Sequence, residues 1–306
     1  MRAPDAETVR DTGSAAHAAP RVLCWVNGVQ VDPDSGVISP RDRGLTLGDG
    51  VFETLPVHRG VAFRLAQHLD RLRRGLVALQ IPEPPRWEHW VLEAADRAAH
   101  EAAASLRVTV TRGPGAAGVP PPSDVSPTVI VTLSRMPVFP DEFYRVGLSA
   151  HVASGRRSTR GMTSGLKTLS YTDAVAALIE ARGAGADEAL FLDTDDHCSE
   201  ASASNLFLRA GGVLVTPPAS CGALPGITRA AVMTIAAKLG VPACERICGL
   251  PDLLEADEAF LTSSLRGIAS LVRVGSHPIG GGRPGPLTGQ IASAYAALVV
   301  EECARP

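Results

Sequence analysis

Apolar and polar positions alternate along this chain with two periods, and the switches between them mark its elements. The run VLCWVNGVQV, residues 22–31, alternates about an Asn-Gly pair and predicts a strand, a two-residue turn and a strand. GVFETLPVHRGVAFRL, residues 50–65, holds two β-rich runs split by His58-Arg59-Gly60, a second hairpin. Leucines at 69, 72, 76 and 79 share one helical face, which predicts a helix over 66–79, and a further helical segment is expected over 87–104. SLRVTVTRG and, after the proline-rich GPGAAGVPPPSDVSP, TVIVTLSR read as strands. Hairpins with two helices make an α+β unit over residues 21–137.

Two prolines in RMPVFPDEFYR break both periods and put a boundary there. The second unit, 138–306, reads as a strand (VGLSAHVA), a helix over 172–182, strands DEALFLD and NLFLRAGGVLVTP, a helix over 228–239, a short strand, DEAFLTSS, and a terminal helix over 287–303. VGSHPIGGGRPGPL is expected to be a turn region without a phosphate role, because no helix start is read directly after it. Residues 1–20 are polar and alanine-rich without periodicity, and are expected to form a disordered leader.

Composition removes several function classes. Of 306 residues 45% are hydrophobic and 20% charged, the net charge is −3, and aromatics are 4% with no basic cluster, so no nucleic-acid partner is expected. No apolar run approaches the roughly 18 residues of a membrane span, and the leader lacks a signal-peptide core, so the expectation is a cytoplasmic protein with no membrane partner. Six cysteines are scattered, the nearest pair, Cys244 and Cys248, with three residues between, and read as packing residues or reduced thiols. The eight histidines show no H-E-x-x-H spacing, so no metal is expected.

The cations carry the first chemical signal. Of 29 Lys and Arg residues only Lys167 and Lys238 are lysine. Lysine, unlike arginine, loses its proton at accessible pH and condenses with an aldehyde. Lys238 lies at a helix end, where the dipole alone favours a cation. Lys167 precedes an apolar helix in SGLKTLSYTDA, among hydroxyls at Thr168, Ser170 and Tyr171. Glu200 follows in CSEASASNLF, where small neighbours let a flat ring approach and a carboxylate would keep a pyridine nitrogen protonated. LPGITRA puts Gly226, Ile227 and Thr228 at a helix start suited to phosphate, and LTSSLRG supplies Thr262, Ser263 and Ser264 as donors. Each feature alone also fits a surface cation, a strand-end acid, a cap and a turn. Together they suggest a phosphorylated cofactor with an aldehyde and a ring nitrogen, pyridoxal 5'-phosphate.

RDRGLTLGDGVFET, HLDRL, VTRG, LKTLSY, GADEALFLDTDDHCSEASASNLF, LPGITR and DEAFLTSS, taken in order over about residues 24–300, resemble the class IV aminotransferases. These are the fold type IV pyridoxal-phosphate enzymes that include branched-chain and D-amino-acid aminotransferases and 4-amino-4-deoxychorismate lyase. The resemblance implies a smaller N-terminal α+β domain, a larger C-terminal domain with a β-barrel-like core, the cofactor between them, and a homodimer. It implies that Lys167 is the Schiff-base lysine and proton shuttle, that Glu200 pairs with the pyridine nitrogen, and that Arg71 of HLDRL binds phosphate. Ile227, Thr228, Thr262 and Ser263 match phosphate or ring contacts, with Tyr171 also on the cofactor.

The same resemblance puts the substrate pocket at GVFETLPV and VTRGPGAAGVPPP, with Phe52, Thr54 and Arg112 as its candidates. Arg112 matches an arginine that serves the substrate carboxylate in D-amino-acid aminotransferases; the histidine two residues on there is Pro114 here. Thr54 matches a threonine near the reacting substrate in the lyase. The implied activity is ping-pong amino transfer between an amino acid, or a primary amine, and a keto acid. Pyruvate-releasing aminodeoxychorismate lyase is the second reading, and a noncatalytic binding protein of the same fold a third.

Overall fold

The computed structural model describes residues 22–304. The expected leader, 1–20, lies outside them.

The first part of the chain builds a six-stranded sheet. Its strands are β1 (Leu23–Val26), β2 (Val29–Val31), β3 (Gly50–His58), β4 (Val61–Ala62), β5 (Ala104–Thr111) and β6 (Thr128–Arg135), in the order β2-β1-β6-β5-β3-β4. Both hairpins form where the turn residues predict them: Asn27 and Gly28 have φ of 49° and 82°, and Arg59 and Gly60 have 49° and 81°. Positive φ at both central residues gives the turn a twist that matches the strands. The short helix α1 (Arg43–Leu47) precedes β3; α2 (Leu65–Ala78) and α3 (Trp87–Asp96) cover the sheet. Leu55, Leu72, Leu76, Val91 and Leu106 are fully or almost fully buried between them. The expected helix over 87–104 ends earlier, at Asp96. The alanine-rich stretch after it closes as turns, and Ala104 is already a strand residue paired with Val57 and Arg135, so sheet pairing overrides helix propensity there.

The second part contains α4 (Asp141–Val146), β7 (Leu148–Arg157), α5 (Thr172–Gly183), β8 (Glu188–Asp193), β9 (Cys198–Ala201), β10 (Asn205–Ala210), β11 (Val213–Thr216), α6 (Ile227–Lys238), β12 (Ala243–Glu245), α7 (Leu250–Leu254), β13 (Glu258–Ser263), β14 (Gly267–Val274), β15 (His277–Pro278) and α8 (Pro286–Glu302). Strands β10, β13, β14, β7, β8 and β9 pair in that order, and β9 pairs back onto β10, closing a six-stranded barrel. Closure removes free sheet edges along the ring. The mixed α+β architecture with a barrel core agrees with the expectation. The glycine-rich turn region departs from it in one respect: α8 begins directly after Gly285, with Pro286 at its start. The first amides of α8 are already used, since Leu287 and Thr288 donate to Glu258, so no anion site opens there.

Two backbone hydrogen bonds join the parts where the lysine lies. Phe52 N donates to Lys167 O, and Leu169 N donates to Gly50 O, so the Lys167 segment runs beside β3. No helix among the described residues is long and apolar enough to cross a membrane.

Candidate active site

Strand alternation sorts the side chains of β3 onto two faces. Val51, Leu55 and Val57 join the core under α2, and Glu53 lies on their face, fully buried. A carboxylate there requires partners. Arg71 supplies Nε and Nη2 at 2.6 and 2.8 Å, and His68 Nδ1 lies at 2.7 Å, both from one side of α2. Burial alone would raise the Glu53 carboxyl, but these partners hold it down at about 2. Burial lowers His68 against the pull of Glu53. The helix comes this close because Gly75 packs on Val51, where a Cβ would press into the valine side chain. Glu53 thereby aims the Arg71 guanidinium, whose Nη1 also reaches Pro225 O at 3.0 Å.

The other face of β3 carries Phe52 and Thr54 and looks into a cavity of about 410 Å³. Lys167, Tyr171, Glu200, Arg71, Ile227, Thr228, Thr262 and Ser263 line it too. Lys167 Nζ lies 3.0 Å from Tyr171 Oη and 4.5 Å from the centre of the Phe52 ring.

Glu200 sits at the seam of the barrel, opposite Asn205. Its Oε1 is 3.3 Å from Arg157 Nε; its Oε2 accepts the Leu224 N–H at 2.9 Å. Burial pushes the Glu200 carboxyl up, against the lowering effects of Arg157, Leu224, Lys167 and Arg71. The Asn205 amide donates to Leu224 O at 2.8 Å and so holds the loop that serves Glu200. Gly226 is required at this place because a Cβ would run into Asn205 Oδ1. Helix α6 starts at the next residue with no side-chain cap, so its first amide groups have neither an intrahelical nor a capping partner, and Gly226, Ile227 and Thr228 line the cavity. Two hydroxyls on the same wall, Thr262 Oγ1 and Ser204 Oγ, are buried without a partner. Unpaired amides at a helix start and unpaired hydroxyls suit a phosphate, a buried carboxylate suits a ring nitrogen and the lysine suits an aldehyde, so the residues present fit pyridoxal phosphate.

Of the eleven residues to which the family resemblance gave a cofactor or substrate role, ten line this cavity, and Arg112 does not. Its Nε and Nη2 bind Asp49 at 2.7 and 3.0 Å, and its remaining donors reach Gln80 O and Leu79 O at 3.1 and 2.7 Å. Four of its five N–H groups are used in this way, tying the end of β5 to the start of β3 and the end of α2. Beside Arg71, a second arginine lines the cavity: Arg107 of β5, paired directly with Thr54 of β3. Its guanidinium lies 3.6 Å from the centre of the Phe52 ring, Nε donates to Thr109 Oγ1, and no carboxylate pairs with it among the described residues. Burial lowers its affinity for its proton. Arg107, Glu53, Arg157 and Asn205 were not singled out in the sequence. An arginine and an acid inside apolar strand runs were the available signals for the first two.

The protein-family description "Amino-transferase class IV" matches residues 50–274. A putative branched-chain-amino-acid aminotransferase of Methanocaldococcus jannaschii is 35% identical over 268 residues, covering 86% of this chain and 92% of that protein. The solved structure of 4-amino-4-deoxychorismate lyase from Pseudomonas aeruginosa superposes with a TM-score of 0.81 at 32% identity, covering 90% of this chain and 98% of that one. The branched-chain amino acid aminotransferase of Escherichia coli does so with a TM-score of 0.85 at 28% identity, covering 92% and 96%. A further branched-chain amino acid aminotransferase, solved with pyridoxamine 5'-phosphate, superposes with a TM-score of 0.84 at 28% identity.

Proposed function

The chain belongs to the class IV aminotransferases, and on that premise we propose that it moves an amino group between an amino acid and a 2-keto acid, using pyridoxal phosphate held in the Lys167–Glu200 cavity. The observation that carries this reading is one cavity containing a lysine, a carboxylate, an uncapped helix start and a half-buried arginine with no acid partner among the described residues.

The roles follow from position. The α6 amides at Ile227 and Thr228, the hydroxyls of Thr262 and Ser204, and Arg71 would hold the phosphate. Glu200, backed by Arg157 and Leu224, would hold a proton on the ring nitrogen. Bound there, the cofactor supplies an aldehyde for the substrate amine and a ring that draws electrons from the α-carbon. Lys167 Nζ carries the proton to and from that carbon, with the Tyr171 hydroxyl fixing its position. Arg107 takes the substrate carboxylate; the same contact serves the amino donor and the keto acceptor, which share that group. Phe52, Leu169, Leu224 and Leu265 wall the cavity and limit its water.

A second reading, pyruvate release from 4-amino-4-deoxychorismate, is supported by the Thr54 hydroxyl on the cavity wall beside Arg107 and by the similarity to the Pseudomonas lyase. An assay of amino donors with pyruvate or 2-oxoglutarate, run beside aminodeoxychorismate, separates them. Transfer that needs a keto acid and survives Thr54→Val supports the aminotransferase. Pyruvate release without an acceptor, lost in Thr54→Val, overturns it in favour of the lyase; neither activity would leave a binding protein.

A further inference from the structure

The turn between β8 and β9 and the segment before α6 meet at three side chains that take no part in the cavity: Asp193, His197 and Cys221. Asp193 ends β8 and is buried. Its Oδ1 accepts the N–H groups of Asp195 and His197, each at 2.9 Å, which shapes the turn. Oδ2 is left facing His197 Nδ1 at 3.2 Å. Cys221 comes from a different part of the chain, at the end of the turn Ala219–Cys221, and is also buried. The carboxylate oxygen, imidazole nitrogen and thiol sulfur all lie within 4.8 Å of one another.

Tetrahedral zinc, with bonds of about 2.0 Å to N and O and 2.3 Å to S, sets its donors roughly 3.3–3.6 Å apart. The Asp193–His197 separation is already close to that. Small rotations of the cysteine and histidine side chains bring the third donor in. The donor set selects the metal: thiolate and imidazole suit borderline transition ions and not magnesium or calcium, which take oxygen. His197 keeps 38% of its side chain exposed, so the cluster opens to solvent on that side, giving an entry path and a fourth ligand from water.

We propose that Asp193, His197 and Cys221 form a binding site for a divalent transition ion of the zinc class. The site fastens the β8–β9 turn to residues 219–226. That segment carries Leu224, whose amide serves Glu200, and leads into the α6 start. The ion is a staple beneath the candidate active site and does not enter it. Cys198 and Cys248 lie nearby, joined by a backbone hydrogen bond of 2.8 Å, and are the alternative home for a thiophilic ion.

The test uses the full chain carrying its cofactor, stripped of metal with a chelator and then titrated with zinc against a chromophoric competitor. One zinc per chain is expected, with one sulfur among its neighbours by X-ray absorption at the zinc edge. Cys221→Ser should remove the sulfur signal and weaken binding by at least about tenfold. His197→Gln, at a half-exposed position that tolerates change, should weaken it similarly and keep the sulfur, while Cys198→Ser should alter neither. Zinc bound no more tightly than to the His197→Gln variant, or a sulfur signal lost in Cys198→Ser and kept in Cys221→Ser, overturns the proposal.

Discussion

Glu200 and Asn205 face each other across the strand pair that closes the barrel, with Asn205 Nδ2 at 3.4 Å from Glu200 Oε2. The closing pair of the fold therefore carries the carboxylate of the candidate site, and the asparagine that holds the neighbouring loop. Fold and site share this seam. Glu200→Gln keeps the shape and the Leu224 and Asn205 contacts, so unfolding free energy should change by no more than about 1–2 kcal/mol. Turnover should fall by about a hundredfold or more, since a neutral amide cannot hold a proton on the ring nitrogen. Denaturant melts beside steady-state rates check both; wild-type turnover in the variant would contradict the role of Glu200.

The two arginines of β5 and its end should separate cleanly. Arg107→Ala should lower kcat/KM for amino donor and keto acceptor together by about 1.5–3 kcal/mol, the value of one charge-assisted hydrogen bond. Arg112→Ala should leave substrate discrimination alone and lower stability by about 1.5–3 kcal/mol, because Asp49 keeps Arg43 at 2.8 Å as a partner. Kinetics and unfolding curves on both variants decide it, and the reverse assignment of the two effects would restore Arg112 to the substrate.

Glu53 sets a pH dependence of known sign. Its carboxyl falls on folding from 4.5 to about 2, so it contributes stability that is complete above about 4.5 and disappears as pH falls through about 2. Glu53→Gln strands Arg71 and His68 and should cost about 3–5 kcal/mol near neutral pH. The gap between wild type and variant should narrow as pH drops from 4.5 toward 2. Unfolding curves over that window provide the check, and a gap that stays constant would mean that Glu53 is not ionised in the folded protein.

The parts of the site legible in the sequence are those where a residue contradicts its surroundings. Lys167 stands out in a chain that otherwise uses arginine, and Glu200 in a run of small residues. The glycine of LPGITR marks a helix start by composition alone. Arg107 is different: it becomes a cavity residue only once β5 is registered on β3 opposite Thr54, and pairing register is long-range information. Arg112 was the more visible arginine, and only tertiary contacts with Asp49, Leu79 and Gln80 show that most of its donors are taken. Strand β9 is four residues long in a serine- and alanine-rich run, and its evidence is again its partners. Asp193, His197 and Cys221 escaped for the same reason, since spacing motifs find ligands within one segment and these come from two. The hairpins and helix α2 were legible because turn chemistry and leucine period are local.

The central claim is that Lys167 is the residue that engages the cofactor. The most direct measurement is borohydride reduction of the protein loaded with pyridoxal phosphate, followed by peptide mapping. The account predicts a covalent label on Lys167, with loss of label and of amino transfer in Lys167→Arg. A label on Lys238, which ends α6 outside the cavity, or no label at all, would contradict it.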